Sequence, residues 1–149
     1  MSLKQRIQDD MKSAMRAGDR DRLATVRLIL AAIKQREVDE RVTLDDLQVL
    51  SVLDKMGKQR RESITQFEAG GRADLVAKES AELAVINGYL PAQLSDAELD
   101  ALIQAAIAET GASSLKDMGK VMGLIKSKAQ GRADMAQVGA RIKARLTPS

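Results

Sequence analysis

The apolar residues of this chain recur every three to four positions, in segments separated by residues that start or stop helices. No segment alternates apolar and polar residues over a useful length, which argues against strands. We therefore predict an all-α fold. The predicted helices span residues 3–17, 21–40, 43–69, 74–87, 95–110, 114–130 and 134–146.

Most of the predicted helices begin with a capping-box pattern, in which a small polar residue precedes an acidic residue or a glutamine by three positions. Such a pair satisfies backbone N–H groups that the first helical turn leaves without partners. The paired positions are Ser2 with Gln5, Thr43 with Asp46, Ser95 with Glu98, Ser114 with Asp117 and Asp134 with Gln137.

The second predicted helix is apolar over more of its circumference than the others. Leu28 and Ile29 widen the stripe formed by Leu23, Val26, Leu30 and Ile33. This pattern predicts a central helix that is covered on more than one side.

The helical pattern is interrupted at Tyr89-Leu90-Pro91, because proline cannot continue a helix. We predict two small helical domains that meet at this point. The first is an N-terminal four-helix unit over residues 1–92, and the second is a C-terminal three-helix bundle over residues 93–149.

Positive charge is concentrated near the C-terminus. The residues from Gly111 to Ser149 include eight Lys/Arg and two Asp, whereas the preceding residues hold 16 Lys/Arg against 19 Asp/Glu. A concentrated positive surface suits a polyanion, of which a phosphate backbone is the commonest in cells. A basic surface that binds nothing but solvent is the alternative.

The composition excludes several classes of site. Histidine and cysteine are absent, so the chain has no disulfide, thiolate nucleophile, Cys/His zinc site or Ser-His pair. The sequence suggests no cofactor and no metal. The longest apolar run, residues 28–33, is too short to span a bilayer, and the N-terminus lacks an apolar signal-peptide segment. We therefore expect a cytoplasmic protein that does not bind membranes.

The sixth predicted helix carries two glycines on the side opposite its apolar stripe. Gly119 and Gly123 are flanked there by Lys116, Lys120 and Lys126. Mid-helix glycine costs roughly 1 kcal/mol relative to alanine, and core packing does not require it at these positions. One interpretation is a bare backbone surface that an RNA phosphate-ribose backbone approaches closely. The other is a close crossing by another helix, whose carboxylates would meet the lysines.

Basic residues extend this region on both sides of the next turn. Lys128 and Arg132 follow the sixth helix, and a helix start near Asp134 supplies free N–H groups that can hold a phosphate. No aromatic residue lies in this part of the chain, so base stacking on single strands is not expected. Recognition of a folded RNA by its backbone and shape is the more natural mode.

Three charged residues fall on apolar faces of the third and fourth predicted helices. They are Arg60, Glu79 and Glu82. Charges on core faces are normally paired, so we predict that Arg60 meets Glu79 or Glu82 between these helices. A carboxylate metal site is the functional alternative, although the sequence offers no third ligand.

The motifs of the chain resemble those of the YqeY-like family over essentially the whole length. They include Tyr89-Leu90-Pro91, the stretch Asp117-Met118-Gly119-Lys120-Val121-Met122-Gly123, and Gly131-Arg132-Ala133-Asp134. Residues 119–146 are also similar to the C-terminal tail domain of GatB, a component of the glutamine-dependent tRNA amidotransferase.

The resemblance implies an all-helical two-domain protein with a GatB-tail-like, tRNA-contacting C-terminal domain. It further implies tRNA or another structured RNA as partner, and a protein partner in aminoacyl-tRNA metabolism. Carried over by position, the residues that would face RNA are Lys116, Gly119, Lys120, Gly123, Lys126, Lys128 and Arg132.

Our leading interpretation is a non-catalytic RNA-binding module, most naturally for tRNA. A protein–protein adaptor is the first alternative, with the glycine face docking a partner helix. The second is an accessory component of a carbon–nitrogen ligase that uses glutamine as amide donor. The sequence lacks a cysteine nucleophile, a Gly-rich Ser-Ser amidase loop and a GxxxxGK[ST] phosphate loop, so we predict no catalysis by this chain itself.

Overall fold

The computed structural model describes residues 1–147, and this part of the chain is all-α with no strand, as the apolar periodicity predicts. A single 3₁₀ turn at Leu115–Asp117 precedes the sixth helix. The helices are α1 (Leu3–Ala17), α2 (Arg20–Glu40), α3 (Asp46–Ala69), α4 (Ala73–Asn87), α5 (Asp96–Thr110), α6 (Met118–Ala129) and α7 (Met135–Leu146).

The chain forms two compact units, the first covering residues 1–91 and the second beginning at Ala92. Helices α1–α4 form the first unit and α5–α7 form the second. Whether the two units are independent domains stays a prediction.

Each unit has its own aliphatic core, built from the residues that recur at helical spacing. In the first unit Ile7, Val26, Ile29, Val49, Leu53 and Ile86 are among the fully buried side chains. In the second unit the corresponding side chains are Ile103, Val121, Ile125, Val138 and Ile142, and Leu99 is almost fully buried beside them. Burying such side chains stabilises a fold by about 1.5–3 kcal/mol each, so the repeated aliphatic stripes account for helix association in both units.

The cap predicted for α3 is wrong. The helix begins at Asp46, and its capping residue is Asp45, whose carboxylate accepts from the N–H of Gln48 at 2.9 Å. In the reciprocal hydrogen bond, the side-chain oxygen of Gln48 accepts from the N–H of Asp45 at 3.0 Å. Asp46, predicted as the box partner of Thr43, instead accepts from the N–H of Leu3 at 2.9 Å and so ties the start of α1 to that of α3.

The side chain of Asp117 explains why α6 starts later than predicted. Its carboxylate accepts from the N–H groups of Ser113 at 3.0 Å and Ser114 at 3.4 Å. This pairing folds the segment into a 3₁₀ turn before the α-helix begins at Met118. Lys116 therefore lies in that turn and not on α6 itself.

The predicted central position of α2 agrees with its packing against α1, α3 and α4, but the wider covered surface expected from Leu28 is not formed. Val26, Ile29 and Ile33 are buried, but Leu28 is 45% exposed. The helix packs against α1, α3 and α4 through one side, and the described residues leave the opposite side open to solvent. Within residues 1–147, none of the helices combines the length and the apolar content that a membrane-spanning segment needs.

Candidate nucleic-acid interface

The rotation of α6 is determined by its buried stripe. Val121, Ile125 and Ala129 lie in the core of the second unit. At 100° per residue, this places Gly119 and Gly123 on the outer side of the helix. Four exposed residues of α6, together with the exposed Lys116 of the preceding 3₁₀ turn, make up this surface, which we call the glycine–lysine face. They are Lys116, Gly119, Lys120, Gly123 and Lys126.

The two glycines of this face are open to solvent. A Cβ atom placed on Gly119 or on Gly123 would have no heavy atom within 4 Å outside the adjacent residues and the backbone of α6 itself. No helix of the described residues therefore crosses α6 at these glycines. The sequence allowed two interpretations of these glycines. Among residues 1–147 no helix crosses α6 there, so the glycines form a surface that is open to another molecule.

The lysines of the face keep their charge available. Among residues 1–147, no carboxylate oxygen lies within 4.0 Å of the ammonium groups of Lys116, Lys120 or Lys126. The pKa of Asp117 is lowered mainly because the Ser113 N–H donates to its carboxylate, and the charge of Lys120 lowers it further. The face therefore presents three cations around exposed helix backbone.

Two of the residues carried over from the family resemblance lie elsewhere. Lys128 is exposed but is five residues after Gly123, which places it about 140° around the helix from that glycine. Arg132 is half-buried, and its Nε donates to the carbonyl oxygen of Ala92 at 3.0 Å. Arg132 thus connects the segment before α5 to the turn before α7 through its Nε–H group.

The sequence count overstates the free positive charge of the second unit. Arg141 on α7 donates to Asp100 at 2.9 Å and to Asp96 at 2.7 Å, both on α5. These carboxylates raise the pKa of Arg141, chiefly through the hydrogen bond that Arg141 donates to Asp100. Arg145 lies 3.9 Å from the same Asp100. Asp96 and Asp100 precede Gly111 in the chain, so the net charge of the residues from Gly111 onward does not include the two carboxylates that neutralise Arg141.

One residue extends the glycine–lysine face beyond the sequence prediction. Ser127 is exposed and follows Gly123 by one helical turn of four residues. Its hydroxyl donates to the carbonyl oxygen of Leu124 at 3.0 Å. The helical spacing of Gly119, Gly123 and Ser127 was the signal that could have identified it.

In the first unit, Arg60 lies between two glutamates of α4. Its Nε donates to Glu82 at 3.0 Å and lies 3.6 Å from Glu79. The buried Oε2 atom of Glu79 accepts no hydrogen bond from the described residues. No group of three or more potential metal-binding side chains is found within residues 1–147. The geometry is that of an ion pair that joins α3 to α4.

Tyr89 has a structural role that the sequence pattern did not reveal. The ring is buried, and its hydroxyl donates to Asp10 on α1 at 2.6 Å. Arg22 on α2 lies 3.9 Å from the same carboxylate, and the Arg6 guanidinium lies 5.1 Å from the centre of the ring. Burial, followed by the contact with Asp10, raises the pKa of Tyr89 to about 12. The residue pins the end of α4 to α1.

Comparison with known proteins agrees with the resemblance to the YqeY-like family. The family model described as Yqey-like protein matches residues 4–146. Several fungal relatives carry the name Altered inheritance of mitochondria protein 41, mitochondrial. The relative from Pyrenophora tritici-repentis is 34% identical over 131 residues, which cover 86% of this chain and 71% of the relative.

Two further relatives with the same name come from other fungi. The one from Lachancea thermotolerans is 33% identical over 144 residues, covering 91% of this chain and 76% of the relative. The one from Eremothecium gossypii is 41% identical over 87 residues, covering 58% of this chain and 48% of the relative.

These names correct the location expected from the sequence. A cytoplasmic location is contradicted, because the relatives are named as mitochondrial proteins. The expectation was wrong because the apolar pattern of a folded unit excludes a membrane span but does not encode a compartment. Targeting information resides in segments that are separate from the fold. Since the family model covers nearly all of the described residues and two relatives match over most of both chains, the chain belongs to the YqeY-like protein family.

Proposed function

We propose that the second unit binds structured RNA, with tRNA as the favoured class, through the glycine–lysine face. The observation that supports this most directly is the combination of open glycine backbone with unneutralised lysines on one side of α6. A helix surface without side chains lets a phosphate-ribose backbone approach, while the surrounding lysines supply the opposite charge.

The binding energy in this proposal comes mainly from lysine–phosphate contacts. Each phosphate that a lysine neutralises releases condensed counterions, so the affinity falls as salt is added. For three lysines, a plot of log affinity against log salt should have a slope of about −2.7, since each contact contributes about −0.9 on duplex nucleic acid. Phe67 and Tyr89, the two aromatic residues of the chain, both precede the second unit. Recognition therefore relies on backbone and shape and not on base stacking.

We propose a binding role and not catalysis. The similarity of residues 119–146 to the GatB tail supports a module that holds tRNA while a partner carries out the chemistry. Because the fungal relatives are named as mitochondrial, organellar tRNA belongs among the RNAs to be tested. The motifs for glutamine hydrolysis and ATP binding are missing from the sequence, which supports assigning any amide transfer to such a partner.

A gel-shift titration of the full chain with bulk tRNA at low and moderate salt tests the proposal. The test variant is Lys120→Glu/Lys126→Glu, which reverses two charges of the glycine–lysine face. The matched control is Lys12→Glu/Arg16→Glu, which makes the same net-charge change on exposed positions of α1. We expect salt-sensitive binding that the test variant loses and the control retains.

Two results would contradict RNA binding by α6. If the wild type does not bind tRNA at low salt, the adaptor interpretation moves to first place, with a partner helix on the open glycines. If both double variants weaken binding equally, the RNA responds to the net charge of the chain and not to this face.

A further inference from the structure

The solvent-facing side of α2 carries basic residues at a constant spacing of seven. The side that holds Val26, Ile29 and Ile33 faces the core of the first unit. On the other side, one basic residue follows another after every two helical turns, from the first residue of the helix to its C-cap. These four exposed residues are Arg20, Arg27, Lys34 and Arg41.

Apolar residues with the same seven-residue spacing lie beside the basic ones. Ala24, Ala31 and Val38 form one exposed set, and Val38 is 59% exposed. The second set consists of Leu28, which is 45% exposed, and Gln35 seven residues later; Val42 follows the left-handed C-cap Arg41 and lies outside the helix. Because seven residues fall about 20° short of two full turns, each set runs nearly parallel to the helix axis. The two sets correspond to the d and a positions of a coiled-coil heptad, and the basic residues then occupy its g positions.

The positive edge of this surface is not neutralised by neighbouring acids. No carboxylate oxygen of residues 1–147 lies within 4.0 Å of the charged groups of Arg20, Arg27, Lys34 or Arg41. Lys34 contributes the smallest of the effects that lower the pKa of Glu37. The carboxylate of Glu37 is held mainly by the N–H of Leu44 and by the ammonium of Lys4.

We infer that this surface, the α2 heptad face, docks an amphipathic helix of a partner protein that carries carboxylates along one edge. In heptad packing, residues at g meet the e positions of the partner helix, so a basic g edge selects an acidic partner. Ala24 and Ala31 leave room for the partner backbone, and the exposed side chains of Leu28 and Val38 supply the apolar seam. This inference concerns the first unit and does not depend on RNA binding by the second.

The pattern suits a different protein better than a second copy of this chain or an RNA. In parallel self-pairing, the basic residues from Arg20 to Lys34 would face Thr25, Ala32 and Asp39 of the other copy, so one acid would serve three cations. An RNA backbone would leave the apolar residues of the face in contact with charged phosphate, which gains nothing from burying them.

A synthetic helical peptide of three heptads provides the probe. It has leucine at a and d and glutamate at e and g, and a matched peptide has lysine in place of every glutamate. Binding of each to the full chain is measured by fluorescence anisotropy at low salt. The test variant is Arg27→Glu/Lys34→Glu, and the control is Lys12→Glu/Arg16→Glu. All four positions are exposed, and circular dichroism checks that each variant folds.

We expect the wild type and the control to bind the glutamate peptide and to reject the lysine peptide. The test variant should bind the glutamate peptide at least about tenfold more weakly and should acquire affinity for the lysine peptide. This exchange of preference is a result that a folding defect cannot produce.

Three outcomes would overturn the inference. The first is equal binding of the glutamate peptide by the wild type and the test variant, or binding by neither. The second is loss of tRNA binding by the test variant in the absence of peptide binding, which would assign the face to RNA. The third is a dimer in sedimentation analysis that the test variant abolishes, which would assign it to a second copy.

Discussion

Replacing Gly119 and Gly123 with alanine distinguishes the effect of these glycines on stability from their contribution to tRNA binding. Both are helical, and a Cβ atom at either position has no heavy atom within 4 Å outside the adjacent residues and the backbone of α6 itself. The substitution therefore adds no clash, and its effect on stability is the difference in helix propensity. Gly123 lies in the helix interior, where alanine is favoured by about 1 kcal/mol, and Gly119 lies in the first turn, where we take about 0.5 kcal/mol.

The double variant should thus be more stable than the wild type by about 1.5 kcal/mol. For a chain of this size, a change of 1 kcal/mol shifts the melting temperature by about 2–4 °C, so the expected rise is about 3–6 °C by calorimetry. The same methyl groups should weaken tRNA binding, because they keep phosphate oxygens away from the glycine Cα–H groups. Each such contact contributes about 0.5–1 kcal/mol, so the loss of both lowers the affinity about fivefold or more.

Gly139→Ala is the matched control for the glycine–lysine face. Gly139 lies within α7, and an added Cβ atom would contact the Met118 side chain at 3.7 Å, an ordinary packing distance. This variant should gain stability by helix propensity without changing tRNA binding. If the double variant gains stability but binds tRNA as the wild type does, the bare backbone is not part of the interface. If it loses stability, the propensity argument is refuted.

Three further predictions concern the first unit. Arg60→Gln removes the cation between Glu79 and Glu82 and should lower the free energy of unfolding in urea by about 1–3 kcal/mol. Glu79→Gln should lower it less, because the Oε2 atom of Glu79 accepts no hydrogen bond. Equal losses of stability would contradict the assigned pairing. The pKa of Tyr89 is raised to about 12 in the folded protein, above its ordinary value of 10, so the free energy of unfolding should fall as the pH rises from about 10 to 12. Absorbance titration of this single tyrosine checks the shift, and a midpoint near pH 10 would refute it. Gly57→Ala should stabilise the protein by about 0.5–1 kcal/mol, because alanine is the better helix former and the nearest atom to the added Cβ would be an arginine nitrogen at 3.4 Å. A lower urea midpoint would show that α3 and α4 leave no room for the methyl group.

Local patterns identified most of the helices because the signals that start and stop them lie within a few residues. Ser95 and Glu98 form the predicted capping box, and Gly18 and Gly111 end helices in the left-handed conformation that glycine adopts readily. The prediction failed at α3, where Thr43 and Asp45 both suit a cap. The choice between them depends on how the connection from α2 is held. The Glu37 carboxylate accepts from the N–H of Leu44, a contact that no local pattern contains.

Part of the candidate site was predictable because helical spacing is also a local property of the sequence. The spacing of Gly119, Lys120, Gly123 and Lys126 already placed them on one side of a helix, because the buried stripe of α6 determines which side faces outward. The sequence could not distinguish an open surface from a helix crossing, since that depends on which element packs beside α6. The structure also assigns Arg132 to a backbone contact with Ala92, forty residues earlier in the chain.

The sequence by itself determined the helical class, the approximate helix positions and most of the core stripes, because the period of an α-helix and the chemistry of its ends are local properties. Only the tertiary structure decided which charges are neutralised and which faces stay open. Arg141 is paired with Asp96 and Asp100 across the second unit, whereas Lys120 meets no carboxylate within 4.0 Å among residues 1–147. Leu28 is exposed although its neighbour Ile29 is buried. Charge pairing and burial are contacts between distant segments, and the packing of the helices brings those segments together.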